Sequence, residues 1–382
     1  MLPRRPATRL DPVARDFVLG AVRSFATGCP CPAVPRDDQW VIVAERAGVL
    51  ATVVEVLVHQ DVALPASLRS SRFAAAATHL AAAVELRGLA GILGDAGVRW
   101  LVLKGPVLAQ VVYLRPGART YDDVDVLVHP DDLAEAVTAL EADGYVVLDR
   151  NWALVARTAR GEISVESPSG MTIDLHWHPV NDARVRASLQ VDVCAMVDRR
   201  IVVDVDGLTV PTLDRPDTVL YVALHGCLAG GHELKWLLDL QQAVRWAGVD
   251  AETLRTRSGA HGVTQNLAVM ARRAARYVDP SLTELADALG PVTGWAKVCR
   301  KVSDRAAPVG ITAGVRSGRT VISSTRSSSA RSARALVRVL VDSRRRRLRP
   351  PAQRVGVDTL HRAAGTEADR DRWFAAAATG PR

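Results

Sequence analysis

The sequence predicts an α+β protein: a mixed sheet flanked by helices, with further helical regions ahead of it and behind it. Three observations carry that expectation. Apolar residues recur at helical spacing from 40 to 96, as at Val43, Ala44 and Ala47 and again at Val53, Val54, Leu57 and Val58. Between 97 and 210 the apolar residues fall into short runs bounded by turn residues, which is the signature of strands. Helical spacing then returns over 217–227, 234–247 and 263–278.

The chain has 382 residues, 48% of them hydrophobic, enough for a buried core and two or three domains. Residues 1–38, rich in Pro and Arg, read as a flexible lead-in, and 39–96 as an N-terminal helical region. The sheet occupies 97–210, a C-terminal helical bundle 211–300, and a basic, partly disordered tail 301–382. Within that tail the Ser/Arg-rich stretch 317–332 reads as a linker or exposed arm. The start lacks the continuous apolar run of a signal peptide, and the apolar stretches 49–58 and 73–84 are too short or interrupted to span a membrane. A cytoplasmic protein with no membrane partner is therefore expected. Five cysteines, scattered apart from Cys29 and Cys31, fit a reduced compartment.

Charge is placed unevenly. The net charge is +8, yet 297–354 alone holds sixteen Lys/Arg against Asp304 and Asp342, a local +14 that leaves the rest at −6. This segment is a candidate RNA contact, because dense Arg binds phosphates without reading sequence. It contains no aromatic residue for base stacking. Deleting everything after about Ser317 is expected to leave nucleotide binding untouched.

In order, 99–103 is a strand, followed by Lys104-Gly105-Pro106, where Pro106 suits the first position of a helix running to about Tyr113. Pro116-Gly117 turns the chain into a second strand over 121–128. Pro130 opens a helix with Asp131 and Asp132 in its first turn, and Gly144 ends it before a strand over 145–148. Hairpins follow at 163–165 with 171–176 and at 201–205 with 208–210, the latter joined by Asp206-Gly207.

The chemistry lies on two of these strands. Alternation sends Asp123, Asp125 and Leu127 to one face and Val124, Val126 and Val128 to the other. Two carboxylates about 7 Å apart on the rim of an apolar strand repel each other unless a cation lies between them, and Mg²⁺ prefers such oxygens. In Ile173-Asp174-Leu175-His176-Trp177 the device recurs, with Asp174 and His176 sharing a face. If the two strands are neighbours, Asp174 is a third carboxylate, and three acids at one strand edge suit two-metal phosphoryl chemistry. The Lys104-Gly105 turn ahead of a helix favours anions such as phosphate.

The series Leu103-Lys104-Gly105, Tyr113, Arg119, Asp123-Val124-Asp125, Gly144-Tyr145 and Ile173-Asp174-Leu175-His176-Trp177 resembles an uncharacterised nucleotidyltransferase family of the polymerase-β-like superfamily. His225 and Lys235-Trp236-Leu237-Leu238-Asp239 are similar to that family's helical C-terminal half, so the likeness covers roughly 40–247. It implies a nucleotidyltransferase sheet in which Asp123 and Asp125 bind Mg²⁺ (Mn²⁺ able to substitute), Asp174 binds metal or deprotonates the acceptor, and Gly105 holds the triphosphate. Pro106 departs from the Gly or Ser that many superfamily members carry after the loop glycine, so Lys104 or Arg119 is expected to supply that phosphate contact. Arg119 has a second reading, a structural pair with Asp123 or Asp125. His176 contacts nucleotide or acceptor, or is a structural histidine. Lys235 and Asp239, at i and i+4, read as a helix-surface ion pair. The implied activity moves NMP from an NTP, ATP among the candidates, to a hydroxyl-type acceptor on a small molecule, tRNA or protein, releasing pyrophosphate. The alternative is a non-catalytic nucleotide- or RNA-binding module on the same fold.

Overall fold

The expected strands assemble into a seven-stranded mixed sheet. The computed structural model describes residues 11–113, 115–306, 321–348 and 357–379. Its strands are β1 (Trp100–Val102), β2 (Asp123–Val128), β3 (Val146–Val147), β4 (Glu162–Glu166), β5 (Thr172–His176), β6 (Ile201–Val205) and β7 (Leu208–Thr212), in spatial order β3-β4-β5-β2-β1-β7-β6. β2 lies between β1, antiparallel to it, and β5, parallel to it. A parallel neighbour needs a crossover; here it runs through α5 (Leu133–Ala142), β3, α6 (Trp152–Thr158) and β4.

Alternation decides which face is covered. Val124, Val126 and Val128 of β2, Ile163 and Val165 of β4, and Ile173 and Leu175 of β5 all enter one apolar cluster. Leu86, Leu89 and Leu93 of α4 (Ala66–Asp95) and Leu133, Val137 and Leu140 of α5 pack into the same cluster. Each such side chain contributes roughly 1.5–3 kcal/mol on burial, so a register slip that turned them outward is strongly disfavoured.

Contacts divide the chain into two compact units that do not follow chain order. The first comprises 1–73, 117–119 and 222–340, and the second 74–116, 120–221 and 341–382. The second unit holds the sheet and the cluster just described. In the first, α1 (Pro12–Thr27), α2 (Gln39–Arg46) and α3 (Leu50–His59) join α10 (Leu234–Ala247) and α12 (Thr264–Tyr277). Gln241 of α10 donates to the Ala26 carbonyl and to Asp279, tying the two chain regions together.

Four expectations are corrected. The lead-in 1–38 contains α1, capped by Asp11, whose carboxylate accepts from the Val13 and Ala14 amides, and closed by Gly28 at φ 76°. Phe17, Val18, Ala21 and Val22 give α1 a buried face that the surrounding Pro and Arg residues obscure in the sequence. The stretch 317–332 is no exposed arm where it is described: Ile322, Ser324, Thr325, Arg326 and Ser332 are buried. A helix, Ser329–Leu348, follows, and Glu367–Thr379 forms another that buries Trp373 and Ala377; residues 307–320 and 349–354 of the basic segment lie outside the described residues. Finally, α4 is by length and composition able to cross a membrane, which the segment 73–84 alone is not, yet it supplies Leu86, Leu89 and Leu93 to the core.

Candidate active site

Strand pairing builds the polar face of the sheet row by row. The parallel register of β2 and β5 sets Asp123 beside Thr172, Asp125 beside Asp174, and Leu127 beside His176. The hairpin register of β4 and β5 adds Glu166 beside Thr172, Ser164 beside Asp174, and Glu162 beside His176. Paired residues point to the same side of a sheet, so Asp125, Asp174 and Ser164 form one row and His176 and Glu162 the next.

The contacts are short and mostly buried. Asp125 is 1% exposed, and its Oδ1 receives both Lys104 Nζ and His176 Nε2, each at 3.1 Å. His176 Nδ1 lies 3.2 Å from Glu162 Oε2. Asn181 donates to Glu162, and Arg160 Nη2 stands 3.4 Å from it. Ser164 Oγ donates to Asp174 Oδ1 at 2.9 Å. Ligand atoms of Asp125, Asp174 and His176 all lie within 4.8 Å of one another.

Electrostatics follow from that crowding. Burial, with the Asp125 and Glu162 charges, pushes the Asp174 carboxyl up to about 6 against the opposing pull of His176 and Ser164. For His176, burial favours the neutral ring, but the Asp125 hydrogen bond and the Glu162, Asp125 and Asp174 charges outweigh it, and the net direction is upward. The buried Tyr221 hydroxyl of α9 (Arg215–Leu228) is held well above its usual range by burial and then by the charges of Asp125, Glu162, Asp123 and Asp174. His178, the other ring of the His-Trp-His stretch, is pushed down to about 3 by burial and by Arg186, and its Nδ1 accepts from the Val180 amide. It is a neutral, locally satisfied ring outside the metal-ligand group.

The expected residues are placed as follows. Asp125 and Asp174 meet, and His176 joins them. Asp123 is half-buried one row away, outside the 4.8 Å group. Gly105 adopts φ +62°, and a Cβ there would meet the Asp123 carbonyl at 3.1 Å and the Tyr121 ring at 3.7 Å, so only glycine fits against the start of β2. The helix after it is short, and its last turns have widened spacing, with the Tyr113 amide bonded to the Leu108 carbonyl. Lys104 is paired with Asp125. Glu162, Ser164 and Tyr221 were not anticipated; the alternation Glu162-Ile163-Ser164-Val165 on a hairpin strand was the available signal for the first two.

Arg119 has a partner that the sequence does not suggest. Its Nε and Nη2 grip Asp239 of α10 at 2.8 and 3.2 Å, with both side chains under 5% exposed. The reason is that 117–119 dock within the first unit, where Thr52 Oγ1 also donates to the Ala118 carbonyl at 2.8 Å. The expected i, i+4 surface pair is revised with it: Asp239 is buried on Arg119, and the Lys235 ammonium lies 5.6 Å from the centre of the Trp236 ring. Arg119→Met strands a buried carboxylate and is expected to cost about 3–5 kcal/mol, whereas Arg119→Met with Asp239→Leu costs much less. Urea melts of the two variants check this, and a single variant as stable as the native chain would contradict it.

No curated protein matches the chain. A family model described as an uncharacterised nucleotidyltransferase matches residues 36–279, a span that takes in the carboxylate strands, Gly105 and the Arg119–Asp239 pair. The chain therefore belongs to the uncharacterised nucleotidyltransferase family.

Proposed function

We propose that the chain moves an NMP group from an NTP to a hydroxyl-type acceptor, with pyrophosphate leaving, at a divalent-metal site on Asp125 and Asp174. The observation that carries this is the placement of those two carboxylates side by side on adjacent parallel strands, within ligand reach of each other and of His176. The donor set, two carboxylates and an imidazole with ligand atoms within 4.8 Å of one another, fits a divalent cation in its chemistry. Two carboxylates favour Mg²⁺, and the imidazole nitrogen admits Mn²⁺. Asp125 and Asp174 would hold the ion with Asp123 one row away, and the bound ion would offset triphosphate charge and orient the attacking oxygen.

The chain's own groups do the remaining work. Lys104, a cation at the Gly105 turn, binds phosphate in the role that Arg119, tied to Asp239, does not fill. Burial raises the Asp174 proton affinity in the metal-free chain, so a divalent ion there competes with a proton for the carboxylate. Ser164 holds the Asp174 Oδ1, leaving Oδ2 to face the ion. One observation favours a second reading, a nucleotide-binding module without transfer: Lys104 and His176 already offset Asp125 without a metal. Titration of purified protein with NTP, with and without Mg²⁺, followed by release of labelled pyrophosphate from γ-labelled NTP, separates the two. Metal-dependent binding with pyrophosphate release supports transfer, and metal-independent binding without release supports the module.

The raised Asp174 carboxyl also makes a stability prediction. The folded chain holds its proton to higher pH than the unfolded chain does, so stability falls as pH rises from about 4 to about 6, by up to about 3 kcal/mol. The upward shift of His176 acts in the same direction at higher pH. Metal-free protein should therefore melt lower at neutral pH than at mildly acidic pH, and Mg²⁺ should restore the neutral-pH value by taking the proton's place. A melting temperature independent of both pH and metal would count against the site.

A further inference from the structure

We infer that the helix Ser329–Leu348 is a docking surface for an anionic lipid bilayer, a property separate from nucleotidyl transfer. It carries seven Arg against Asp342 alone within twenty residues. Its root is fixed: Ser332 is buried, Ser332 Oγ accepts from the Arg326 amide at 2.9 Å, and Ile322, Ser324 and Thr325 are buried just upstream. The inner face is thus committed to the protein.

The outer face is apolar as well as basic. At 100° per residue, Arg334, Val337, Arg338, Val341 and Arg344 fall on the side opposite Ser332, with Leu340 on its flank. Val337 is 58% exposed, Leu340 54% and Val341 41%, and Arg331, Arg334, Arg338 and Arg344 are exposed beside them. Exposed arginines alone suit any polyanion. A valine and leucine stripe between them gains nothing from nucleic-acid phosphate, and 297–354 contains no aromatic residue to stack on bases. Both features suit an interfacial helix, whose apolar strip enters the headgroup boundary while arginines meet anionic headgroups. The observations therefore favour a lipid surface over the RNA contact that charge alone suggests.

The test uses the full-length protein sedimented with vesicles of phosphatidylcholine, or of phosphatidylcholine with phosphatidylglycerol, at low and high salt. Binding to the anionic vesicles only, weakened by salt, is expected. Val337→Glu with Leu340→Glu should weaken it at least about tenfold, since charge on the embedded strip opposes insertion, and Arg334→Ala with Arg338→Ala should weaken it by a similar factor. These side chains are exposed, so melting temperatures should stay at the native value, which shows that each variant is folded. Absence of vesicle binding by the native chain, or equal binding by Val337→Glu with Leu340→Glu, would overturn the inference. So would tight binding of a mixed-sequence RNA oligonucleotide that the arginine pair weakens and the glutamate pair does not.

Discussion

Asp125→Asn is expected to lower transfer of label from NTP by about a thousandfold or more, equivalent to about 4 kcal/mol of transition-state stabilisation. Asparagine keeps the shape of the side chain but offers one neutral oxygen where a carboxylate stood, and Asp125 is one of the three members of the ligand cluster. Loss of fold is a second effect to be separated from this one. Asp125 was expected on a rim, where neutralising it would relieve repulsion, but it is buried and faces Lys104 and His176 at 3.1 Å each. With asparagine there, the Lys104 ammonium loses a counter-charge and His176 a charged acceptor, and a moderate loss of stability, about 1–3 kcal/mol, should accompany the loss of activity. Thermal melts and metal-free NTP binding of the variant establish that it is folded. Asp123→Asn, one row away and half-buried, should lose activity with a smaller change in melting temperature. Near-native transfer by folded Asp125→Asn in Mg²⁺ would remove the metal site from consideration.

Removing the C-terminal helix Glu367–Thr379 is expected to unfold the sheet-bearing unit, although it lies far beyond the family match, which ends at 279. Trp373 is fully buried in the same apolar cluster as the central strands. Its Nε1 donates to the Arg160 carbonyl at 2.8 Å, the same oxygen that receives Trp177 Nε1 at 2.7 Å. Trp177 directly follows His176, so that shared oxygen ties the C-terminal helix to the end of β5. Arg370 adds an ion pair to Glu141 of α5 and lies 5.3 Å from the centre of the Trp152 ring. Losing one buried Trp costs about 3–5 kcal/mol, a large part of a typical domain's stability. A chain ending at Gly365 should therefore be unfolded or aggregated where the full chain is folded, and NTP binding should go with it. This reverses the expectation that everything after about Ser317 is dispensable. Trp373→Phe, which keeps most of the bulk and loses the N–H, should cost far less, about 1 kcal/mol for the hydrogen bond with some loss of packing. A truncated chain melting with the native one would show the helix to be an accessory.

Much of this was legible from residue order. Alternation in 121–128 and 171–176 predicts strands with acids on one face and valine, isoleucine and leucine on the other, and the structure has them as β2 and β5. The runs 163–165 with 171–176, and 201–205 with 208–210 around Asp206-Gly207, predict hairpins that pair as expected. The helices over 217–227, 234–247 and 263–278 appear within two residues of their expected ends. All these signals are local, because side-chain period and turn chemistry act within a few residues.

By itself, then, the sequence determined the α+β class, the strands that carry Asp123, Asp125 and Asp174, and the family. Only the tertiary structure decided which groups meet: that β5 lies parallel to β2 with Asp174 opposite Asp125, that Glu162 backs His176, that Arg119 pairs with a residue 120 positions away, and that Trp373 completes the core. The physical reason is that strand pairing between distant segments and the choice of a buried charge's partner are set by how whole surfaces pack and exclude water, and no window of neighbouring residues contains that information.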